Sequence, residues 1–96
     1  MTIEKNLCGS TAEIKLSGWL NTQTAPDLGA EIDALGAEIT ALTIDCEKLE
    51  FISSAGLRQI VAAHKKMNGA LTLCRVSDEI KDVFRMTGLD KHIAIQ

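Results

Sequence analysis

The chain has 96 residues, of which 46% are hydrophobic and 24% charged, with a formal net charge of −3. That length suits one domain, 1–96, around one core. The acidic balance, with Lys65-Lys66 as the longest basic cluster, speaks against direct nucleic-acid binding, which needs a basic stripe to displace phosphate counterions. No apolar run approaches the roughly 20 residues that span a bilayer, and no basic start followed by an apolar stretch marks a signal peptide, so no membrane insertion and a cytoplasmic location are expected.

Aromatic residues are scarce: Trp19, Phe51 and Phe84, with no Tyr. The core must therefore be aliphatic. The three cysteines, Cys8, Cys46 and Cys74, are an odd number, and each sits in or beside an apolar run. They are expected to be small buried hydrophobes rather than a disulfide framework.

Two short runs, 3–8 and 12–17, flank Gly9-Ser10-Thr11. Ile14 and Leu16 alternate with Glu13, Lys15 and Ser17, the period of two of a half-buried strand, and the small polar linker predicts a hairpin. Thr24 followed by Asp27 resembles a capping box, and Pro26 fits a first helical turn, where its missing N–H costs nothing. Leu28, Ile32, Leu35 and Ile39 continue at helical spacing, predicting an amphipathic helix over about 25–37. Ala41 to Cys46 predicts a short central strand.

A second helix is expected over about 54–67, with Leu57, Ile60, Val61, His64 and Met67 on one face and Asn68-Gly69 ending it. Ala70 to Cys74 predicts another strand. Ser77 caps a third helix bearing Ile80, Val83 and Phe84, stopped by Gly88, and Ile93 to Ile95 suits a last edge strand. The order β-β-α-β-α-β-α-β predicts an α/β domain. Its sheet should be mixed, with four to five strands, parallel at the centre through right-handed crossovers, and with helices mainly on one face.

Loops leaving the carboxyl ends of strands are the usual functional sites in such sheets, which draws attention to residues 45–57. There a strand ends near Cys46, a polar stretch follows, and Phe51-Ile52 precede two serines that open a helix. A serine in that position sits among backbone N–H groups without helical partners, at the positive end of the macrodipole. A phosphoryl group is well accommodated there, and Ala55 and Gly56 are small enough to leave the hydroxyl accessible. The plainer reading is that Ser53 or Ser54 is an N-cap.

Arg58 lies one turn after Ser54, where a cation opposes the dipole. It either contacts a partner or a phosphate on Ser54, or is an exposed arginine paired with a nearby acid. Trp19 is either an exposed interface anchor or packed at a sheet edge. Thr22 and Gln23, in the loop before the first helix, join the same surface. His64 is no base for Ser54, because ten helical residues separate them by about 15 Å and proton transfer needs about 3 Å. Gly-x-Ser-x-Gly is absent. No Walker loop, Gly-x-Gly-x-x-Gly motif or metal-ligand spacing occurs, so no catalytic residue, metal or cofactor is expected.

The segment Phe51-Ile52-Ser53-Ser54-Ala55-Gly56-Leu57 resembles the signature of STAS domains, specifically the stand-alone anti-sigma factor antagonists. Ser17-Gly18-Trp19-Leu20-Asn21 through Thr24-Ala25-Pro26 is similar to the family's second strand and the approach to its first helix. Ser77-Asp78-Glu79-Ile80 through Met86-Thr87-Gly88-Leu89 is similar to its C-terminal helix and turn. The likeness covers nearly the whole chain.

The resemblance implies a non-enzymatic partner switch. The unphosphorylated protein would bind a GHKL-type serine kinase that doubles as an anti-sigma factor, freeing a sigma factor. The kinase would phosphorylate Ser54, and a PP2C-type phosphatase would reverse this. The docking surface implied comprises Trp19, Asn21, Thr22, Gln23, Thr24, Ser53, Ala55, Gly56 and Arg58. Ser53 stands where the family has Asp, Ala55 where it has a second hydroxyl residue, and Asn21 where an Asp often follows Gly-x-Leu. The changes at 53 and 21 remove negative charge near Ser54. A monomer is the favoured state. The alternative is a cytoplasmic STAS subunit that grips a lipid or anion transporter constitutively, and a nucleotide-hydrolysing domain is a distant third.

Overall fold

The computed structural model describes residues 1–96. Two strands, β1 (Thr2–Cys8) and β2 (Thr11–Leu20), form the expected hairpin, paired antiparallel from Thr2↔Ser17 to Cys8↔Thr11. Gly9, at φ +60°, makes the tight reversal at low steric cost. The remaining elements are α1 (Ala25–Asp33), β3 (Ala41–Ile52), α2 (Ser54–Lys66), β4 (Leu71–Cys74), α3 (Asp78–Thr87), a short 3-10 turn (Leu89–Lys91) and β5 (Ala94–Ile95).

The five strands lie side by side in sequence order, and β2, β3, β4 and β5 run parallel. Three successive crossovers advance in the same direction. With the right-handedness such connections share, all three helices fall on one face of the sheet. That face carries Ile14, Leu16, Leu42, Ile44, Leu71 and Leu73, each no more than 1% exposed. They join Leu28 and Ile32 of α1, Ile60 and Ala63 of α2, and Ile80 and Phe84 of α3 in one aliphatic core. The other face has no helix and alternates in partly exposed residues such as Glu13, Lys15, Thr43 and Thr72.

Four expectations are corrected. First, α1 ends at Asp33, not near residue 37. Lys66, in the last turn of α2, donates to the carbonyls of Ile32 (2.8 Å), Asp33 (3.3 Å) and Leu35 (3.1 Å). The chain leaves the helix to wrap that ammonium, and Leu35 and Ile39 are buried from a loop. Second, β3 does not stop at Cys46 but continues to Ile52, because β2 also continues and pairs with it through Ser17↔Lys48, Trp19↔Phe51 and Leu20↔Ile52. Register shifts at Lys15/Ser17 and Gly18/Trp19 break the alternation that would have shown a long strand.

Third, Thr24 makes no side-chain cap on α1. Its hydroxyl accepts from the Asn21 amide at 2.8 Å and donates to the Trp19 carbonyl at 2.7 Å. Fourth, Cys8 is exposed, Cys46 alone of the three is fully buried, and all three are free thiols. Burial pushes the Cys46 thiol up to about 12, with smaller contributions from Cys74 and Asp45. The last strand covers only Ala94–Ile95, while Ile93 joins the core.

Candidate functional site

The carboxyl ends of β2 and β3 meet at one end of the sheet. The Ser53 amide donates to the Leu20 carbonyl at 2.9 Å, so the loop after β2 and the start of α2 are fastened together. Ser53 is the N-cap of α2: its backbone is extended (φ −95°, ψ 175°) and its hydroxyl accepts from the Gly56 amide at 3.2 Å. This is the capping geometry of an Asp, Ser or Thr, and the serine at 53 performs it without the charge of an aspartate.

With the cap filled by Ser53, Ser54 is the first helical residue. It is exposed, and its hydroxyl makes none of the hydrogen bonds that tie down its neighbours. The helix carries no acidic side chain in its first turn, so nothing there offsets the positive end of its dipole. Ser53 is thus the capping serine, and the Ser54 hydroxyl is left exposed and unbonded beside it.

Gly56 faces inward. A β-carbon there would lie 2.8 Å from Leu20 Cγ and 2.9 Å from Ile52 Cγ1. Its place is to let α2 descend onto the ends of β2 and β3, so it positions Ser54 and is not itself on the outer surface. Ala55 is likewise half-buried and packs against the core. Arg58, one turn beyond Ser54, is exposed and belongs to none of the four ion pairs. His64 sits ten residues after Ser54 on the same helix, as the spacing requires.

The loop before α1 is a compact knot. The Asn21 side-chain oxygen accepts from the amides of Gln23 (3.0 Å) and Thr24 (3.1 Å), and Thr24 ties the loop back to Trp19. Asn21 and Thr24 hold the loop, leaving Thr22 and Gln23 exposed on it. Trp19 is 56% exposed and Phe51 42%. Their rings stand 5.2 Å apart at 39°, a tilted pair on adjacent strands. Trp19 lies beyond the last β1–β2 pair, Thr2↔Ser17, where β2 is paired with β3 alone, so it combines the two readings: at a local sheet edge, packed on Phe51 and still more than half exposed. Phe51 was missed as a surface residue because an apolar pair, Phe51-Ile52, before a helix reads as core. Only Ile52 is buried.

The uncovered sheet face carries a second polar feature. Asp45 is 4% exposed although no helix lies over it. It accepts from the Glu47 amide at 3.0 Å and pairs with Arg75. Arg75 has a left-handed backbone, φ +53°, and reaches Glu47 as well at 3.3 Å. Burial pushes the Asp45 carboxyl up, but the Glu47 amide and the Arg75 guanidinium outweigh it and hold it below its usual range. The pair clamps β3 to the end of β4.

With this geometry described, the family follows. Residues 3–96 match the family model described as STAS domain, and the chain belongs to that family. Among curated relatives, BtrV of Bordetella bronchiseptica, which carries the name of an anti-sigma factor antagonist, is 32% identical over 77 residues. That match covers 76% of this chain and 66% of BtrV, so the chain spans just under two thirds of that relative. The structure of an anti-sigma factor antagonist from Mycobacterium paratuberculosis superposes with a TM-score of 0.86 at 27% identity, covering 98% of this chain and 83% of that one. The Bacillus cell fate determinant SpoIIAA in its phosphorylated form shares the fold at a TM-score of 0.77 and 19% identity, over 99% of this chain and 91% of that one. No helix is long and apolar enough to cross a membrane.

Proposed function

We propose that this chain is an anti-sigma factor antagonist that works by partner switching. Unphosphorylated, it binds a GHKL-type anti-sigma factor kinase and so frees a sigma factor. Phosphorylation at Ser54 ends that binding, and a PP2C-type phosphatase restores it. The chain is a substrate in this cycle rather than an enzyme, and the cycle runs in the cytoplasm.

The observation that carries this reading is the division of labour between two adjacent serines. Ser53 is occupied as the cap of α2, while the Ser54 hydroxyl is exposed and unbonded in the first turn. The names of the relatives point the same way. At the same end of the sheet, the Trp19–Phe51 pair supplies exposed aromatic area, Thr22 and Gln23 supply polar contacts, and Arg58, one turn after Ser54, supplies an uncommitted cation.

The energetics fit a switch that needs no change of fold. A phosphoryl group adds about 1.5 to 2 negative charges. Burying it in an interface without a partner costs several kcal/mol, and about 4 kcal/mol corresponds to a thousandfold change in affinity. The test is titration calorimetry with a purified anti-sigma factor kinase from the same organism. Ser54→Asp is expected to weaken binding by two or more orders of magnitude, and Ser54→Ala to keep it. Equal binding by both variants would overturn the proposal.

A further inference from the structure

A groove of about 540 Å³ runs along the outer side of α2, between that helix and the turn that follows α3. Leu57, Val61, Ala62 and Leu89 line it. Ser54 lies at one end, and Arg58 and Lys65 stand along the α2 side. No acidic residue lines it, although the chain as a whole is acidic, and neither Arg58 nor Lys65 is paired with an acid elsewhere. An apolar floor with two free cations on one rim is therefore the opposite of the chain's average surface.

The positions form a regular row. Ser54, Arg58, Val61 and Lys65 follow one another at intervals of four, three and four along α2, the spacing of one helical face. Arg58 and Lys65 are two turns apart, about 10 Å along the axis. An apolar groove running beside a helix suits a second helix laid along it. Another copy of this chain is a poor occupant, since a two-fold contact would set Arg58 and Lys65 against the same cations of the partner.

We infer that this groove receives an amphipathic helix of the anti-sigma factor, with an apolar seam and acidic side chains one heptad apart that pair with Arg58 and Lys65. The inference rests on the partner-switching reading and specifies the chemistry of the partner. It also gives the switch an electrostatic mechanism. The row bears two positive charges, and a phosphoryl group on Ser54, one turn from Arg58, brings about 1.5 to 2 negative ones. The attraction for an acidic helix then falls to about zero, and Arg58 is drawn to the phosphate instead.

The test is calorimetry of the full chain against the purified kinase, with Lys65→Glu, Ala62→Arg and Ser54→Asp compared with the unsubstituted chain. Residues 62 and 65 are exposed, so circular dichroism should show both groove variants folded. Lys65→Glu and Ala62→Arg are each expected to weaken binding at least tenfold, and Lys65→Glu to flatten its salt dependence. If both bind as the unsubstituted chain does while Ser54→Asp does not, the groove inference falls and the switch stands. If both lose binding while Ser54→Asp keeps it, the groove stands and the switch falls. Self-association in ultracentrifugation that Ala62→Arg abolishes would assign the groove to a second copy and overturn the inference.

Discussion

The α-carbon of Gly56 approaches Leu20 so closely that a β-carbon on it would lie 2.8 Å from Leu20 Cγ. Leu20 is fully buried and Ile52, the next neighbour at 2.9 Å, is 6% exposed, so neither can swing aside. Exposed helical glycines usually gain about 0.5–1 kcal/mol on becoming alanine. Here the overpacking cost of about 1–3 kcal/mol reverses the sign. Gly56→Ala is expected to lower the urea midpoint, and a raised midpoint would contradict the close approach that seats Ser54.

The Asp45–Arg75 pair predicts an acid sensitivity. The folded chain holds the Asp45 carboxyl below its ordinary value of 3.8. In that window the unfolded chain binds more protons, so the contribution is complete above about pH 4 and is lost as the pH falls through the lowered folded value. Asp45→Asn should cost about 1–3 kcal/mol at pH 7, because it leaves a poorer partner for the Glu47 amide and Arg75. The gap between variant and parent should narrow as the pH falls below about 4 and through the lowered folded value. Unfolding curves at several pH values check this, and a gap that stays constant with pH would rule out ionisation of Asp45 as the source.

Element order, strand direction and the one-sided sheet were all readable from periodicity and punctuation. Ser77 caps α3, its hydroxyl accepting from the Ile80 amide at 3.3 Å, and Gly88 ends that helix at φ +77°, as their residue types imply. Likewise Asn68 and Gly69, both at positive φ, end α2.

What sequence could not show was long-range. The end of α1 is decided by Lys66, 33 positions after Asp33, and helical spacing at Leu35 and Ile39 reports burial without a helix. The length of β3 is decided by pairing with β2, so the charged Glu47-Lys48 read as a loop. At the site, spacing alone could not tell which of the two adjacent serines caps α2; the resemblance pointed to Ser54 as the acceptor, and the cap proves to be Ser53. The partnership of Trp19 with Phe51, and that of Asp45 with Arg75, join residues about 30 apart in the chain and carry no local signal.

Trp19 is the sole tryptophan, which makes it a reporter as well as a contact. Trp19→Ala should cost about 2 kcal/mol of partner affinity, as exposed aromatic anchors do, while leaving the urea midpoint close to that of the parent. Binding should shift and strengthen the emission of the parent protein as the indole leaves water. A spectrum unchanged on saturation with the kinase would remove the Trp19–Phe51 pair from the interface.

The central claim is that Ser54 is a phosphoacceptor while Ser53 is its structural support. Incubating the chain with the anti-sigma factor kinase proposed as its partner and ATP, then mapping the product by mass spectrometry, tests it most directly. One phosphoryl group on Ser54 is predicted, retained in Ser53→Ala and absent in Ser54→Ala. Modification of Ser53, or no modification under conditions where the kinase is active, would contradict the account and favour a STAS subunit that grips its partner constitutively.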